Sequence, residues 1–325
     1  MPGSKTSGDL PDFQAVERAA IRIGPFVRQT PVLSDSALNE LLGCQLFLKC
    51  ENLQGSGSFK LRGASNAVAR LREQHLSGDV ATHSSGNHGA ALAMAARLDG
   101  RRAHVVMPEN ASPFKVSAVR QQAGEVYFCA ATQAAREEGL DALLQAGHHS
   151  IPPYDHADII AGQGTACLEL IQQIQDLEMV VAPVGGGGLI SGTALVASHY
   201  GITTLGAEPS GASDTAISLA QGKRVDRVQP ETIADGLRAL VGVRNFALIH
   251  ELVDSVITVS DDDIRTAMVE IWRHFRMLAE PSSAVVLAAI QQQPQRFRRR
   301  RVGTIISGGN ITPDEWIRVT GWEGV

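Results

Sequence analysis

The run Met179-Val180-Val181-Ala182-Pro183-Val184 passes directly into Gly185-Gly186-Gly187-Gly188 and then Leu189-Ile190-Ser191-Gly192. An apolar run of this length suits a buried strand, and the residues after the glycines can open a helix. Without Cβ atoms the glycine backbone can turn its N–H groups inward around an anion, and the helix N-terminus adds positive potential there. The stretch has neither the Gly-Lys-Ser/Thr ending of a nucleoside-triphosphate loop nor the spacing of a dinucleotide fingerprint. A phosphate cradle is one reading of it; a purely structural turn is the other.

Working outward, the same grammar recurs. Short apolar runs at 45–49, 80–83, 103–107, 125–129, 203–207, 255–259 and 302–306 alternate with helix-length amphipathic segments. In the segment 64–71, for example, Ala64, Ala67, Val68 and Leu71 fall at i, i+3, i+4 and i+7, one face of a helix. Strands alternating with helices imply parallel sheets covered by helices, so the expected fold class is α/β. In such sheets, sites form from the loops at the carboxyl ends of the strands.

Composition narrows the function classes. A chain of 325 residues that is 44% hydrophobic can bury a large core and suggests roughly two domains. Its net charge of -5 gives no electrostatic reason to expect nucleic acid as a partner. The local basic run Arg296-Phe297-Arg298-Arg299-Arg300-Arg301 reads as a solvated face leading into a buried strand rather than an anion patch. No apolar stretch approaches the roughly 18 residues of a membrane span, and the polar N-terminus carries no secretory pattern. Cys44, Cys50, Cys129 and Cys167 are scattered and suit reduced thiols of a cytoplasmic protein, with neither a zinc site nor a disulfide framework.

Two further constellations bear chemistry. Gly57-Ser58-Phe59-Lys60-Leu61-Arg62-Gly63-Ala64 places a lysine at the start of a helix. An ammonium is electrostatically awkward at the positive end of a helix dipole, so a neutral amine or an imine suits Lys60 better. That is the condition for Schiff-base chemistry; a solvated first-turn lysine is the plainer alternative. Thr82-His83-Ser84-Ser85-Gly86-Asn87-His88-Gly89 crowds hydroxyls, an amide and an imidazole into a strand-to-helix turn. The group suits an amino-acid carboxylate and a cofactor hydroxyl, although a serine there can also be a simple N-cap.

Taken together and in order, these segments resemble the fold-type II pyridoxal-phosphate (PLP) enzymes, and in particular the serine/threonine dehydratase and serine racemase family. Further matches are Ala161-Gly162-Gln163-Gly164-Thr165, Thr232-Ile233-Ala234-Asp235-Gly236, Glu280-Pro281-Ser282-Ser283-Ala284 and Ser307-Gly308-Gly309-Asn310. The resemblance implies a two-domain fold like the tryptophan synthase β chain. A large cofactor-binding domain would comprise 1–72 and 152–325, and a smaller domain, 73–151, would carry the substrate-carboxylate loop. It implies that Lys60 holds PLP as an imine, with Phe59 against the ring, Asn87 on the phenolic oxygen and Gly236 lining the pocket. Gly185, Gly186, Gly187, Gly188 and Leu189 would hold the phosphate, and Ser307 would face the pyridine nitrogen. Ser84, Ser85, Asn87 and His88 would grip the substrate carboxylate, with Arg136 as a further candidate. Glu208, Ala212 (through its carbonyl) and Asp214 are similar to the divalent-metal site of the racemase branch and would suit Mg2+ or Ca2+.

The activity so implied is elimination of the β-hydroxyl from L-threonine or L-serine, giving a 2-keto acid and ammonia. Lys60 would serve as base and Ser85 as the second acid/base that racemisation needs. Serine racemisation and 3-hydroxyaspartate dehydration are the near alternatives; the latter needs an extra cation that the sequence does not locate. A PLP-binding protein without catalysis is the alternative of a different class. The family expectation is a homodimer, and the short stretch after Asn310 suggests a stand-alone enzyme without a C-terminal regulatory domain. Two departures stand out: Gly55-Ser56-Gly57-Ser58-Phe59-Lys60 replaces a usual KTGSFK, and Pro152-Pro153-Tyr154 replaces a frequent His-Pro-Phe. The second departure is expected to touch the pocket entrance and substrate choice.

Overall fold

The computed structural model describes residues 10–84 and 86–324. Ten strands are found among them: β1 (Val32–Leu33), β2 (Gln45–Cys50), β3 (Val80–His83), β4 (Ala103–Pro108), β5 (Glu125–Cys129), β6 (His149–Ser150), β7 (Met179–Pro183), β8 (Thr203–Pro209), β9 (Ser255–Val259) and β10 (Arg301–Ile306). Every apolar run singled out from the sequence is a strand. The two-residue strands β1 and β6 are too short to leave a periodic signal.

The strands form two sheets. One has the order β1-β2-β10-β7-β8-β9 and the other β5-β4-β3-β6. All pairings are parallel except that of β1 with β2. The α/β class with parallel-rich sheets is therefore as expected. The last strand, β10, inserts between β2 and β7, pairing Arg301–Ile306 along Gln45–Cys50 and Val302 with Met179. Chain reversal around β10 and β7 leaves a crevice beyond their carboxyl ends, the usual ligand position in such sheets.

Helices cover both faces of the larger sheet. The helix Pro281–Gln292 starts with proline at its first position and is buried from Pro281 to Ile290. The helix Asp261–Phe275 illustrates local specification. Ser260 and Asp263 form a reciprocal capping box, three aspartates fill the first turn, and Arg273 and His274 occupy the last. Leu46, Leu48, Val181, Leu205, Ile257 and Val302 join the buried face of this helix pair in one core. A second core, including Leu61, Val80, Leu92, Val105 and Val119, ties the helix Lys60–Glu73 to the smaller sheet.

The arginine run lies at the entry to β10. Arg296 pairs with Asp254 and Arg300 with Glu178, Arg301 covers the Phe47 ring, and Arg298 and Arg299 are exposed to solvent. All four cysteines are free thiols. No helix among the described residues is long and apolar enough to cross a membrane.

Candidate active site

The carboxyl ends of β2, β3, β7 and β10 each deliver part of one constellation. After β2 the chain runs to Ser58, which bridges antiparallel to Gly308 just beyond β10. Phe59 N–H donates to the Ser307 carbonyl at 2.9 Å. Lys60 is the first residue of the helix Lys60–Glu73, as its sequence context suggested. Its Nζ donates to the Pro153 carbonyl at 2.8 Å and lies 5.0 Å from the Phe59 ring centre. Burial pushes the amine pKa down to about 8, opposed by the Glu280 carboxyl. About a tenth is thus neutral at pH 7, far more than for an ordinary lysine, and the neutral amine is the state a nucleophile needs.

After β7 come the four glycines, all buried. Gly187 has φ 94°, a left-handed conformation that favours glycine, and caps the helix Gly188–His199. A Cβ on Gly186 would lie 2.3 Å from the Tyr154 ring, and one on Gly185 would lie 2.9 Å from Leu237. Among the described residues, the N–H groups of Gly185, Gly186 and Gly187 donate to no backbone carbonyl. Buried N–H groups left without partners at a helix N-terminus form an anion cradle. The loop is braced from behind by Asn245, whose Nδ2 donates to the Gly186 carbonyl at 2.7 Å. Leu189 is buried at the helix start, and Gly236 packs against Gly185 while its N–H donates to Ser282 Oγ at 2.9 Å.

After β10, Ser307 is buried and its Oγ lies 2.9 Å from Ser283 Oγ. Asn87, the first residue of the helix Asn87–Leu98, donates from Nδ2 to Glu280 Oε1 at 2.7 Å. Its Oδ1 accepts from Asn310 Nδ2 at 2.8 Å. Burial pushes the Glu280 carboxyl up to about 7, Asp235 adding to the effect and Lys115, Asn87 and Lys60 opposing it. A cleft of about 230 Å³ lined by Ser56, Gly57, Phe114 and Asn310 opens beside this group.

The pattern of the family described as pyridoxal-phosphate dependent enzymes matches residues 23–308. The chain belongs to that family. It is 45% identical over 305 residues to a serine racemase of Dictyostelium discoideum, covering 91% of this chain and 94% of the relative. The crystal structure of the Dictyostelium discoideum serine racemase superposes with a TM-score of 0.89, covering 93% of this chain and 99% of that one at 44% identity. A beta-hydroxyaspartate dehydratase of Paracoccus denitrificans is 43% identical over 94% of this chain and 98% of its own. The crystal structure of a T.th. threonine deaminase is 38% identical, with a TM-score of 0.88 over 93% of this chain and 99% of that one.

The residues present fit the family's cofactor. An amine of lowered pKa, an aromatic ring beside it and a cradle of unpartnered buried N–H groups meet around the Pro153-Tyr154 segment. Phe59, Lys60, Asn87, the glycine loop, Gly236 and Ser307 are all joined through these contacts. Ser84, at the end of β3, accepts from Gly86 N and Gly89 N at 3.3 Å each. His88 is buried, approaches the Ile151 carbonyl through Nε2 at 2.9 Å, and is pushed down to about 3 by burial, with Lys60 adding to it. It is therefore a neutral ring and brings no positive charge to a carboxylate. Arg136 stands apart on the helix Gln133–Gln145, donating to the Thr132 carbonyl, with its charge close enough to depress His83, after burial, below the ordinary imidazole value. Ser85 lies outside the described residues.

Glu208, near the end of β8, and Asp214 are buried close enough for the charge of one to act on the other, with Ala212 buried between them in sequence. Glu208 accepts from Thr215 N and Ala216 N, and Asp214 accepts from Val241 N. Burial raises the Glu208 carboxyl to about 8, with Asp214 contributing.

Sequence reasoning missed Glu280, Ser283, Asn310 and Tyr154. The first three stood inside quoted motifs without a role, and their adjacency to Asn87 and Ser307 arises only on folding. Tyr154 was marked only as a departure, yet its ring covers Gly186 and its backbone packs against Gly188.

Proposed function

We propose that this chain is a PLP-dependent ammonia-lyase that removes the hydroxyl of a 3-hydroxy amino acid, L-threonine or L-serine, to leave a 2-keto acid and ammonia. The observation that carries the reading is the Lys60 amine, held partly neutral beside Phe59 and bonded to the Pro153 carbonyl, next to the Tyr154 that packs on the glycine loop. When bound, PLP supplies an electron sink for the bond broken at the substrate α-carbon. The Lys60 amine takes the α-proton at Nζ, a general-base role that its depressed pKa suits. The turn after β3, with Ser84, Ser85 and the start of the helix Asn87–Leu98, receives the substrate carboxylate. Asn87, fixed on one side by Glu280 and on the other by Asn310, orients a ring hydroxyl. Ser307, with Ser283 beside it, would offer a ring nitrogen a hydroxyl rather than a carboxylate, and a hydroxyl would not hold that nitrogen protonated. A weaker sink favours prompt loss of the β-hydroxyl over return of the α-proton, and the released enamine hydrolyses.

Two related activities have specific support. The similarity to a serine racemase favours racemisation with Ser85 as the second acid/base. Arg136, whose charge reaches His83 from the helix Gln133–Gln145, is a cation available for a second carboxylate. That favours 3-hydroxyaspartate, the compound for which the Paracoccus relative is named. Residues 1–72 with 152–325 and residues 73–151 are proposed as the two domains, since the strands of the six-stranded sheet all lie outside the second segment. Homodimer assembly is proposed with them.

The deciding experiment assays PLP-loaded protein against L-serine, D-serine, L-threonine and 3-hydroxyaspartate, following keto acid and enantiomer composition together. Keto acid from serine or threonine without the opposite enantiomer is expected. An opposite enantiomer at comparable rate would make racemisation the activity, and turnover confined to 3-hydroxyaspartate would replace the substrate. Silence on all four would overturn the enzymatic reading.

A further inference from the structure

The amino-terminal edge of the four-stranded sheet gathers groups that the reaction does not use. Asp79 precedes β3, His104 is the second residue of β4, and His148 precedes β6. One ligand atom from each lies within 4.8 Å of the others. His104 is 4% exposed, so its surroundings are fixed. Its Nε2 lies 3.3 Å from Asp79 Oδ2, and its Nδ1 lies 3.0 Å from the Tyr127 hydroxyl, which donates to Glu125 Oε2 at 2.9 Å.

His104 Nδ1 also lies 3.4 Å from Glu125 Oε2, so both ring nitrogens sit beside carboxylates. Tyr127 has a single proton and gives it to Glu125, so toward His104 it can only accept. The proton of a neutral His104 ring then sits on Nδ1 and leaves Nε2 as a lone pair. That lone pair faces a carboxylate oxygen, and among the described residues no N–H or O–H group hydrogen-bonds to it. Two acceptors in contact require a positive species between them, either a second proton on the ring or a metal ion. Arg102 Nε donates to the same Asp79 Oδ2 at 3.1 Å, its backbone N–H donates to Oδ1 at 3.0 Å, and its side chain, 66% exposed, also reaches Glu125 at 3.2 Å; none of these bonds reaches His104 Nε2.

We propose that Asp79, His104 and His148 bind a divalent cation of the zinc type, with water completing its shell. Two imidazoles and a carboxylate are a borderline donor set that selects Zn2+ over Mg2+ or Ca2+. The path from His104 Nδ1 through Tyr127 to Glu125 is the outer-shell support that fixes the tautomer of a metal-binding histidine. Zn2+ bonds of about 2.0–2.2 Å need their donors roughly 3–4 Å apart. The ring of His148, stacked on His104 at 4.0 Å, must therefore turn, and its partial exposure leaves room for this. The cation would tie β3, β4 and the segment entering β6 at the end opposite Ser84. Its role is to brace the sheet that carries the carboxylate turn, and it is separate from the all-oxygen pair Glu208 and Asp214.

The test uses the PLP-loaded protein, stripped with a chelator and held in excess Mg2+ so that all-oxygen sites are filled. Zn2+ is titrated by calorimetry, and Co2+ by its visible absorption as a reporter of nitrogen ligation. Wild type is expected to take up a single Zn2+ and to melt at higher temperature with it. His148→Ala and Asp79→Asn, both changes at the sheet margin, should lose that binding, and Tyr127→Phe should weaken it about tenfold or more. Equal Zn2+ affinity in wild type, His148→Ala and Asp79→Asn would overturn the proposal by placing the metal elsewhere. Absence of binding in wild type would overturn it in favour of a shared proton between His104 and Asp79.

Discussion

Lys60 and Glu280 form the electrostatic heart of the candidate site, each pulled from its ordinary pKa mainly by burial. Replacing Lys60 with Ala removes the proposed base and is expected to lower keto-acid formation by about a thousandfold, within the range usual for general-base loss. Steady-state assay checks this, and undiminished turnover would remove Lys60 from the mechanism. Glu280 allows a sharper test through pH. Its folded pKa, about 7, lies above the ordinary 4.5, so the folded protein keeps a proton that the unfolded chain has lost between those values. Stability from this group is therefore full below about pH 4.5 and declines as pH rises to about 7. Glu280→Gln keeps an acceptor for Asn87 and should flatten that part of the profile, as read from denaturant midpoints of both proteins across the window. Parallel profiles would refute the assignment.

At the level of elements, a buried ionic network holds the helix that begins at Lys60. Arg62 and Glu51 are fully buried and paired at 2.8 Å; Arg62 also reaches Glu169, which pairs with the buried Lys49 at 2.7 Å. The network fastens β2, the segment after it, and the helices Lys60–Glu73 and Ala157–Gln173 to one another. Arg62→Leu would strand the Glu51 carboxylate in the interior and is expected to cost about 3–5 kcal/mol in chemical denaturation. A loss below about 1 kcal/mol would show that the network is not a fastening. Burial alone would raise the Glu51 pKa, but Arg62, Thr30 and Lys49 together lower it. Stability from Glu51 is thus present above the ordinary carboxylate range and lost as pH falls below it, the opposite sense to Glu280.

For the whole molecule, Glu208 and Asp214 are two buried acids placed close together, an arrangement that a divalent cation would relieve. Mg2+ or Ca2+ at about a hundred times its dissociation constant should add about 2.7 kcal/mol of stability by linkage. The gain should vanish in Asp214→Asn, as thermal melts with and without the ion will show. The α/β class and every strand longer than two residues were legible in the sequence, because each is a short apolar run, buried in most cases and half-exposed in β5. The helix-start position of Lys60 and the turn of the four glycines were legible as well, because they are properties of local sequence, whereas the role of Lys60 was implied only by the ordered set of motifs. Tertiary structure alone decided that β10 lies between β2 and β7, which sets Ser307 against Phe59. It decided that Glu280 lies against Asn87, and that Tyr154 covers Gly186. Those contacts join residues far apart along the chain, and their desolvation, which raises Glu280 and lowers Lys60, comes into being only when the sheets and helices close around them.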